Sequence, residues 1–502
     1  MKAIFENSSE LEKRVKEKYH FPQYVMMENA SSSMEIVLNS VLEDYGYGNT
    51  PNGTKAQVLI VCGKGNNGAD GLALARRIHS KYEVFVYLCG NDMKTDEGKT
   101  QLDMARQIGV DFISEDEFEK LLLSSRMKII VDCIFGTGFH GELPEKIAYL
   151  INLMNDAQGV KIACDIPSGL AFKADFTVTM GTLKTSLFSD KAKAVCGEIF
   201  IADLGIGHED FEKCAVPEAF LIENSDISLP FRKQKDAHKG SFGHAVVVSG
   251  EKSGAAILAS EASVAFGSGL TTIVKSENSN LEQFKISPVL MISDTLPKKT
   301  TALLLGCGLG RSEENYEKAE NIIEEYVSLC NAEKKDVSLV LDADMMYYPN
   351  IKELLTRLNK IENAKVVLTP HLKELSSLVH LCGLGEISVS ELNSIEERIR
   401  IGKAFSDLFP KTAIIMKSAN TLICEGKSYA FFVCADGKAS LAKGGSGDVL
   451  AGLVLSLLAQ GYDIKNACIT ATEMHALSSQ QGDEFYLTAE DLRKNIESIA
   501  RH

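Results

Sequence analysis

The run VLIVCGKGNNGADGLALARRI, residues 58–78, decides the fold of the first half of this chain. An apolar β-rich segment leads into a glycine-rich turn, and a helical pattern follows at once. Glycines let the backbone approach a phosphate closely, and the start of a helix adds a favourable dipole for an anion. A tight turn alone would account for the glycines, but it does not need Asn66, Asn67 and Asp70 at loop positions. The run therefore predicts a strand, a ligand-binding loop and a helix.

The same alternation of strands and helices continues along the whole chain. Strand candidates begin at Val58, Val84, Lys128 and Val160, and in a second series at His244, Ala302, Ser338, Ala364 and Thr412. Alternating elements predict the α/β class, with parallel doubly wound sheets whose ligands lie at the carboxyl ends of the strands. The polar segment around Pro230 separates the two series, so we expect a domain boundary within residues 225–235 and domains of residues 1–225 and 236–502.

Composition excludes several classes of protein. The 502 residues are 45% hydrophobic and 24% charged, which is ordinary globular usage and enough for two cores. The formal net charge is −15 and no basic run stands out, so nucleic acid and anionic membranes are not expected partners. The charged N-terminus has no signal-peptide pattern, and no long apolar stretch occurs, so we expect a soluble cytoplasmic protein. The twelve Cys are scattered through apolar runs, so we expect reduced core residues and no zinc site.

Two further segments place polar residues at the ends of neighbouring strands. VDCIFGTGFHGELPE, residues 131–145, supplies Asp132 and a glycine-rich loop, and CDIPSGL supplies Asp165 and Ser168. One isolated Asp is more often a loop cap than a ligand. Because three strand ends converge on one crevice, we expect a binding site there.

Together with MMENASSSM (residues 26–34) and DFTVTMGTLK (residues 175–184), these segments resemble the NAD(P)H-hydrate epimerase domain of the bifunctional repair family. The resemblance implies a Rossmann-like α/β/α domain that binds a hydrated nicotinamide dinucleotide and a potassium ion. It assigns Asn67, Asp132 and Ser168 to potassium, and Asp165 to proton transfer. The substrate-binding residues that it implies are Asn66, Asn67, Gly68, Ala69, Asp70, Gly136, Thr137, Gly138, Phe139, His140, Gly141, Glu142 and Asp165. Ala69 departs from the family, which commonly has a second Gly there.

The second half contains AKGGSGDVLAGLVLSLLAQG, residues 442–461, in which a glycine-rich turn ends in Asp448 and opens an apolar helix. Backbone amides in such a turn can hold an anion, and Asp448 projects beside them. A simple helix start would be the ordinary explanation, but three glycines between Lys443 and Val449 exceed what a helix start needs. The pattern resembles the ribokinase superfamily, in which this Asp deprotonates the hydroxyl that attacks a phosphoryl group.

Further motifs resemble the NAD(P)H-hydrate dehydratase branch of that superfamily, a ribokinase-like α/β domain. They include HKGSFGHAVVVSG (residues 238–250), LLLGCGLGRS (residues 303–312), LDADMM (residues 341–346) and TPHLKEL (residues 369–375). The resemblance implies ADP, or ATP, as co-substrate, with magnesium. Substrate would be bound by Ala255, Gly308, Gly310, His371 and Asp448, and nucleotide by Lys417, Ser418, Ala419, Asn420, Thr421 and Gly447.

Three positions in this half depart from the dehydratase pattern. Ser418 and Lys373 stand where the family usually has Gly, and residues 288–291 lack a usual Glu. Ser418 most directly affects nucleotide binding, because a side chain stands where the backbone could otherwise be approached. His371 by its local sequence would be an ordinary loop residue, and only the resemblance makes it a ligand.

The resemblance implies a homo-oligomeric bifunctional enzyme, an isomerase and a lyase, acting on NADHX and NADPHX. One domain interconverts the R and S hydrates, and the other dehydrates the S form at the expense of ADP. One alternative is a vitamin-precursor kinase of the ribokinase superfamily with an accessory N-terminal domain, which would not need DIPSGL. Another is a non-enzymatic scaffold, because similar N-terminal domains occur in RNA-decapping proteins.

Overall fold

A computed structural model describes residues 1–44, 55–90, 92–124, 126, 128–232, 236–426, 428–482 and 485–500. The chain forms two units, the N-terminal unit of residues 3–218 and the C-terminal unit of residues 219–502 with residues 1–2. Of the expected boundary segment 225–235, residues 233–235 lie outside the described residues. The predicted α/β class is confirmed in both units. No helix in the described ranges is both long enough and apolar enough to span a bilayer.

Nine strands and eight α-helices lie in the described N-terminal unit, with β1 beginning one residue before it. The strands are β1 (Lys2–Phe5), β2 (Gln57–Cys62), β3 (Glu83–Leu88), β4 (Asp111–Phe112), β5 (Lys128–Cys133), β6 (Val160–Cys164), β7 (Phe176–Met180), β8 (Leu183–Lys184) and β9 (Glu198–Ala202). The helices are α1 (Ser9–Tyr19), α2 (Gln23–Asp44), α3 (Asn66–Ile78), α4 (Asp96–Ile108), α5 (Glu115–Leu123), α6 (Glu145–Asp156), α7 (Asp190–Lys193) and α8 (His208–Glu212). All four predicted strands of this half are present.

The main sheet of this unit is parallel and has the order β4-β3-β2-β5-β6-β7-β9. Its central strands β2 and β5 are buried along their whole length, as expected for parallel strands covered on both faces. The chain proceeds outward from β2 to β4, then returns to β5 and proceeds the other way. The carboxyl ends of β2 and β5 therefore flank the topological switch point, where ligands bind in sheets of this kind.

The C-terminal unit has ten strands and eight α-helices among the described residues. The strands are β10 (Ala219–Leu221), β11 (His244–Ser249), β12 (Leu270–Lys275), β13 (Met291–Ser293), β14 (Ala302–Leu305), β15 (Val337–Leu341), β16 (Ala364–Leu368), β17 (Thr412–Met416), β18 (Thr421–Glu425) and β19 (Ala430–Cys434). The helices are α9 (Ser253–Ala265), α10 (Glu313–Glu333), α11 (Ile351–Lys360), α12 (Leu372–Leu381), α13 (Ile395–Leu408), α14 (Ser446–Ala459), α15 (Ile464–Ser478) and α16 (Ala489–Ile499).

Its sheet runs β13-β12-β11-β14-β15-β16-β17-β18-β19-β10, and neighbours are parallel except at β18, which is antiparallel to β17 and β19. The switch point lies between β11 and β14. Helix α14 is apolar on all sides and buried, as a helix within a core must be. It lies against α9 at Gly452, where a Cβ atom would be 2.1 Å from the carbonyl oxygen of Ala259. The first turn of α14 lies beside Cys307 and Asp342, which follow β14 and β15.

All twelve cysteines are free thiols, and all but Cys89 are buried. The expectation of reduced core cysteines is confirmed. Cys62 and Cys133 lie side by side in register on β2 and β5. A Cβ at Gly71 of α3 would come within 3.0 Å of both sulfurs, at 2.9 and 2.8 Å, so glycine lets α3 sit directly on these strands.

Candidate active sites

A cavity of about 700 Å³ opens at the carboxyl ends of β2, β5 and β6. Many of the residues that sequence analysis singled out line it, namely Asn66, Asn67, Asp70, Gly136, Thr137, Gly138, Phe139 and Asp165. Five others of the predicted set do not line it: Gly68, Ala69, His140, Gly141 and Glu142. The structure thus brings the asparagine pair, the first part of the glycine loop and Asp165 to one place.

The asparagine segment corrects one expectation, because Asn66 to Asp70 form the first turns of helix α3 rather than a loop. Only Gly63 to Gly65 make the turn, and Gly68 packs on Gly63 so closely that a Cβ would lie 1.9 Å from its carbonyl oxygen. Gly68 and Ala69 are consequently buried in the helix. The turn between β2 and α3 is therefore only three residues long.

Asn67 is buried at the cavity wall, and neither Oδ1 nor Nδ2 of its side chain has a hydrogen-bond partner among the described residues. A Cβ at Gly136 would lie 3.5 Å from Asn67 Oδ1 and 2.7 Å from Asp165 Oδ2, so both side chains border the same glycine. An unpaired buried amide is costly unless a ligand completes it. This amide is therefore a candidate ligand group.

Asp132 is fully buried at the end of β5 and is held by Ser168. The Ser168 amide donates to Oδ2 at 2.8 Å, its hydroxyl donates to Oδ1 at 2.7 Å, and the Ile134 amide also donates to Oδ1, at 3.1 Å. Burial raises the pKa of Asp132 to about 6, and these hydrogen bonds oppose that rise. The two residues form a compact oxygen-rich group beneath the cavity.

Asp165 follows β6 with a left-handed backbone, φ 69°, that directs its carboxylate to the cavity wall. Oδ2 accepts from the Thr137 amide at 3.1 Å, and Oδ1 pairs with the ammonium of Lys184 at 2.8 Å. Lys184 is fully buried and also donates to Thr179 Oγ1 at 2.7 Å. The buried Lys184 ammonium and the Thr137 amide thus hold the Asp165 carboxyl group at the cavity wall.

Asp70 also lines the cavity. Burial raises its pKa well above the ordinary value, and the nearby carboxylates Glu12 and Asp165 raise it further. Glu12, Asp70 and Asp165 thus form a cluster of acids that lines the cavity. Phe139, on the glycine loop, stacks on Phe135 with ring centroids 4.3 Å apart.

In the C-terminal unit, Asp448 is the third residue of α14 and stands over the ends of β14 and β15. Its carboxylate, the Asp342 carboxylate and the Cys307 thiol have ligand atoms all within 4.8 Å of one another. Burial first, and then Asp342, raise the pKa of Asp448 to about 6. A carboxylate with this pKa can accept a proton at neutral pH more readily than an exposed one.

Lys417 connects the predicted nucleotide segment to the acid pair. Its ammonium lies 3.0 Å from Asp342 Oδ1, which also accepts from Thr369 Oγ1 at 2.6 Å. A Cβ at Gly447 would lie 3.2 Å from the same ammonium, so the anion-binding turn and Lys417 are adjacent. The positive charge beside the turn suits a phosphoryl group in transit.

The Ser418 side chain does not obstruct the backbone of the nucleotide segment, although its position in the sequence suggests that it would. Its hydroxyl is 2.6 Å from Nη1 of the buried Arg398 and donates to the Asn420 carbonyl at 3.0 Å. Arg398 also donates to that carbonyl, at 2.7 Å. The side chain that replaces glycine is thus turned into the loop, with Ala419 exposed and Thr421 starting β18.

His371 caps helix α12. Its Nδ1 accepts from the amides of Lys373 and Glu374 at 3.1 and 3.2 Å, so the neutral ring carries its proton on Nε2, 3.2 Å from Glu374 Oε1. Burial first, and then Lys417, lower the pKa of His371. The side chain is half exposed, so the ring remains accessible to a ligand.

The remaining predicted substrate residues lie around the switch point. Gly308 and Gly310 have φ of 66° and 87°, and a Cβ on Gly308 would be 2.3 Å from the Lys252 carbonyl oxygen. Ala255 is the third residue of α9, close after Lys252. The structure therefore groups Ala255 with these glycines, and separately groups Asp448, Gly447 and Lys417.

Comparison with known proteins accounts for both halves. The family model described as YjeF-related protein N-terminus matches residues 23–186, and the one described as NAD(P)H-hydrate dehydratase matches residues 245–500. A bifunctional NAD(P)H-hydrate repair enzyme from Helicobacter pylori is 36% identical over 99% of this chain and 100% of its own length. The chain belongs to this family. The repair-enzyme relative from Coxiella burnetii is 31% identical over 87% of this chain and 88% of its own.

Membership of the bifunctional repair family over both halves disfavours a kinase with an accessory domain and a non-enzymatic scaffold. Among solved structures, an ADP/ATP-dependent NAD(P)H-hydrate dehydratase from Bacillus subtilis, co-crystallized with ATP/Mg²⁺, is 24% identical. The match covers 55% of this chain and 94% of the Bacillus subtilis chain, with a TM-score of 0.45.

Sequence reasoning missed three side chains that complete these sites, namely Lys184, Asp342 and Cys307. Lys184 and Asp342 belong to the motifs DFTVTMGTLK and LDADMM, but nothing in the local sequence indicates that Lys184 reaches Asp165 or that Asp342 reaches Lys417. Cys307 was read as a core thiol, yet it lies 3.5 Å from Asp342 Oδ2. Each contact joins residues far apart in the chain, so only the fold reveals it.

Glu473 on α15 is a buried acid outside these groups, and it carries a stability prediction. Burial, and then Asp436, raise its pKa to about 8, so the folded protein favours the neutral acid. A folded pKa above the unfolded value means that stability falls as pH rises from about 4.5 to about 8. Because Glu473→Gln stays neutral, its free energy of unfolding should fall less than that of the parent protein over this window. The two proteins should differ by on the order of 3 kcal/mol at pH 7, as measured by thermal unfolding at each pH.

The matched control for this measurement is Glu317→Gln, an exposed glutamate on α10. It should follow the parent protein at every pH. An identical pH dependence in Glu473→Gln and the parent would show that the buried acid is not neutral in the folded state.

Proposed function

We propose that this chain repairs hydrated nicotinamide dinucleotides, NADHX and NADPHX, in two steps. Residues 1–225 would interconvert the R and S hydrates, and residues 236–502 would dehydrate the S form at the expense of a nucleotide. The observation that carries this proposal is the end-to-end likeness to a named bifunctional repair enzyme. The two separate clusters of polar groups, one in each unit, support it.

In the N-terminal unit, the substrate would lie in the 700 Å³ cavity with C6 of its hydrated ring at Asp165. The ring nitrogen can expel hydroxide from C6, and hydroxide can return to either face. Where water rather than hydroxide adds to C6, the Asp165 carboxylate would accept the proton that this water loses and pass it to the expelled hydroxide. Lys184 pairs with this carboxylate and compensates its charge in a buried position.

The donor set near Asn67 fits a potassium ion. The unpaired Asn67 amide offers a buried oxygen, and Asp132 and Ser168 add carboxylate and hydroxyl oxygens of the hard type that such a cation prefers. Asp132 and Ser168 bond to one another here, so they would turn partly toward the ion to ligate it. When bound, potassium would supply positive charge beside the departing hydroxide.

Replacing potassium should test that assignment. In lithium or caesium buffers, epimerisation should slow at least tenfold relative to potassium, because a much smaller or larger ion does not fit the same oxygens. Dehydration of the S hydrate by the same protein sample serves as the internal control and should change less. Equal epimerisation rates in every cation would remove Asn67, Asp132 and Ser168 from a metal role.

In the C-terminal unit, the hydrate would be activated by phosphorylation at its C6 hydroxyl. Asp448 would accept the hydroxyl proton as oxygen attacks the phosphoryl group, which the turn at residues 444–447 and Lys417 would hold. The ring nitrogen then expels phosphate as the C6–O bond breaks. Loss of a proton from C5 restores the double bond and yields the dihydronicotinamide.

We further propose ADP as the preferred co-substrate, with ATP accepted and magnesium bound to its phosphates. Residues 417–421 and Gly447 would contact the nucleotide, while Ala255, Gly308, Gly310 and His371 would contact the hydrate. Asp342 and Asp448 are the described carboxylates that could meet a phosphate-bound magnesium. The inward orientation of the Ser418 hydroxyl leaves the loop backbone open to phosphate.

Separate assays of the half-reactions test the proposal. The R hydrate alone, without nucleotide, should convert to an R and S mixture far faster than the uncatalysed rate, as seen by chromatography. The S hydrate with ADP and magnesium should regain dihydronicotinamide absorbance and release AMP and phosphate. Failure of either half-reaction would refute the corresponding domain assignment.

A further inference from the structure

Two lysines line the N-terminal cavity without any role in the chemistry above. Lys64 lies in the turn after β2 and Lys94 precedes α4, and both side chains are exposed to the cavity opening. Several other lysines of the unit, such as Lys99, Lys146 and Lys184, are paired with carboxylates. Within the described ranges, neither Lys64 nor Lys94 has a hydrogen-bond or ion-pair partner for its ammonium. In a chain with net charge −15, two unpaired cations on one cavity wall need an explanation.

The two lysines are fixed to each other and to the sheet. The Lys94 amide donates to the Lys64 carbonyl at 2.8 Å. The aliphatic stem of Lys64 lies over Gly90, where a Cβ would be 2.1 Å from Lys64 Cε, so this stem occupies the place of a side chain at the end of β3. The backbone around them also opens the helices α3 and α4, each 13 residues long, whose N-terminal amides add positive potential.

Lys64 and Lys94 lie away from Asp165. Asp165 follows β6, whereas the Lys64 side chain reaches the end of β3, and the strand order places β5 and β2 between them. Adjacent strands are about 4.8 Å apart, so the two ends are separated by roughly 10–14 Å. A ligand that spans the cavity therefore meets the Asp165 carboxylate at one end and the two ammonium groups at the other.

We propose that Lys64 and Lys94 bind the diphosphate of the dinucleotide substrate while Asp165 meets its hydrated ring. This inference rests on the proposed epimerase function and adds how the substrate is oriented. The hydrated ring carries no charge and suits the end that holds Asp165, and the diphosphate suits the two lysines and the helix starts. The ribose between ring and diphosphate spans the middle of the cavity, across β5 and β2.

The test compares two substrates of the full-length protein in the absence of nucleotide. One is the R hydrate of NADH, and the other is the hydrate of reduced nicotinamide riboside, which has the same ring but no phosphate. The double variant Lys64→Met, Lys94→Met keeps both apolar stems, including the packing on Gly90, and removes only the charges. We expect its KM for the dinucleotide to rise about tenfold to a hundredfold, the size typical of charged hydrogen bonds, with kcat little changed.

Epimerisation of the riboside should be the same in the variant and the parent protein, since no phosphate is present. Raising ionic strength should raise the parent's KM for the dinucleotide and have little further effect on the variant. Lys99→Met on α4, whose partner is Asp96, is the matched control and should behave as the parent.

The outcomes separate the two claims. If the parent protein epimerises neither substrate, the proposed function fails. If the parent epimerises the dinucleotide and the double variant has an unchanged KM and salt dependence, the lysines do not bind the diphosphate. An equal loss for dinucleotide and riboside would show structural damage rather than loss of a phosphate contact, and would also overturn the inference.

Discussion

The Asp448→Asn variant should lose ADP-dependent dehydration by about 10²–10⁴-fold, the usual contribution of a general base. Asparagine has nearly the same shape but cannot accept the proton of the C6 hydroxyl. The kcat and kcat/KM for the S hydrate should fall together, because the lost interaction exists only in the transition state. Epimerisation should continue at the parent rate, since Asp448 belongs to the C-terminal unit and the epimerase cavity to the other.

The pH profile gives an independent check of the same role. Since the pKa of Asp448 is raised to about 6, dehydration by the parent protein should decline as pH falls through about 6, where the base becomes protonated. Asp294→Asn, an exposed aspartate after β13, serves as the matched control and should keep full activity. Near-parent turnover in Asp448→Asn would exclude it as the base.

The Asp165→Asn variant should have the opposite effect. Epimerisation should fall by about 10²–10⁴-fold because the amide cannot carry the moving proton, while the S hydrate is still dehydrated at the parent rate. Substrate affinity should change less than turnover. Chromatographic separation of the R and S hydrates without nucleotide measures the loss directly.

Removing this charge has a structural consequence that needs its own control. Asparagine leaves the buried Lys184 ammonium without its carboxylate, which typically costs about 3–5 kcal/mol. The double variant Asp165→Asn, Lys184→Met removes both charges and should recover thermal stability without recovering epimerisation. Recovery of activity together with stability would show that Asp165 is only a structural partner of Lys184.

The sequence was sufficient for the architecture because parallel strands are apolar, short and regularly spaced. All nine predicted strands are present, from Gln57–Cys62 to Thr412–Met416. It was insufficient for short or partly exposed strands such as β4 and β13, which carry too few residues for a periodic pattern. The start of α3 was also misplaced, because Asn and Gly are usual in turns and only packing on Gly63 and Cys133 admits them to a helix.

For the sites, motifs located the residues but not their partners. Asp132, Ser168 and Asn67 could be predicted because they follow strands in the sequence. The bond between Ser168 and Asp132 and the unpaired amide of Asn67 depend on side-chain directions, which the sequence does not contain. Ser418 shows the reverse case, since the sequence suggested an obstruction and the fold turns the hydroxyl toward Arg398. The contacts of Lys184 and Asp342 likewise needed the three-dimensional arrangement.

The most direct test of the whole account is a single progress curve with an R and S hydrate mixture, ADP and magnesium. Dihydronicotinamide absorbance should return completely in the parent protein, because the first unit keeps supplying the S form that the second consumes. In Asp165→Asn it should return quickly up to the initial S fraction and then advance only at the uncatalysed epimerisation rate. Complete return at one unbroken rate in that variant, or no ADP-dependent return in the parent, would contradict the division of labour proposed for the two units.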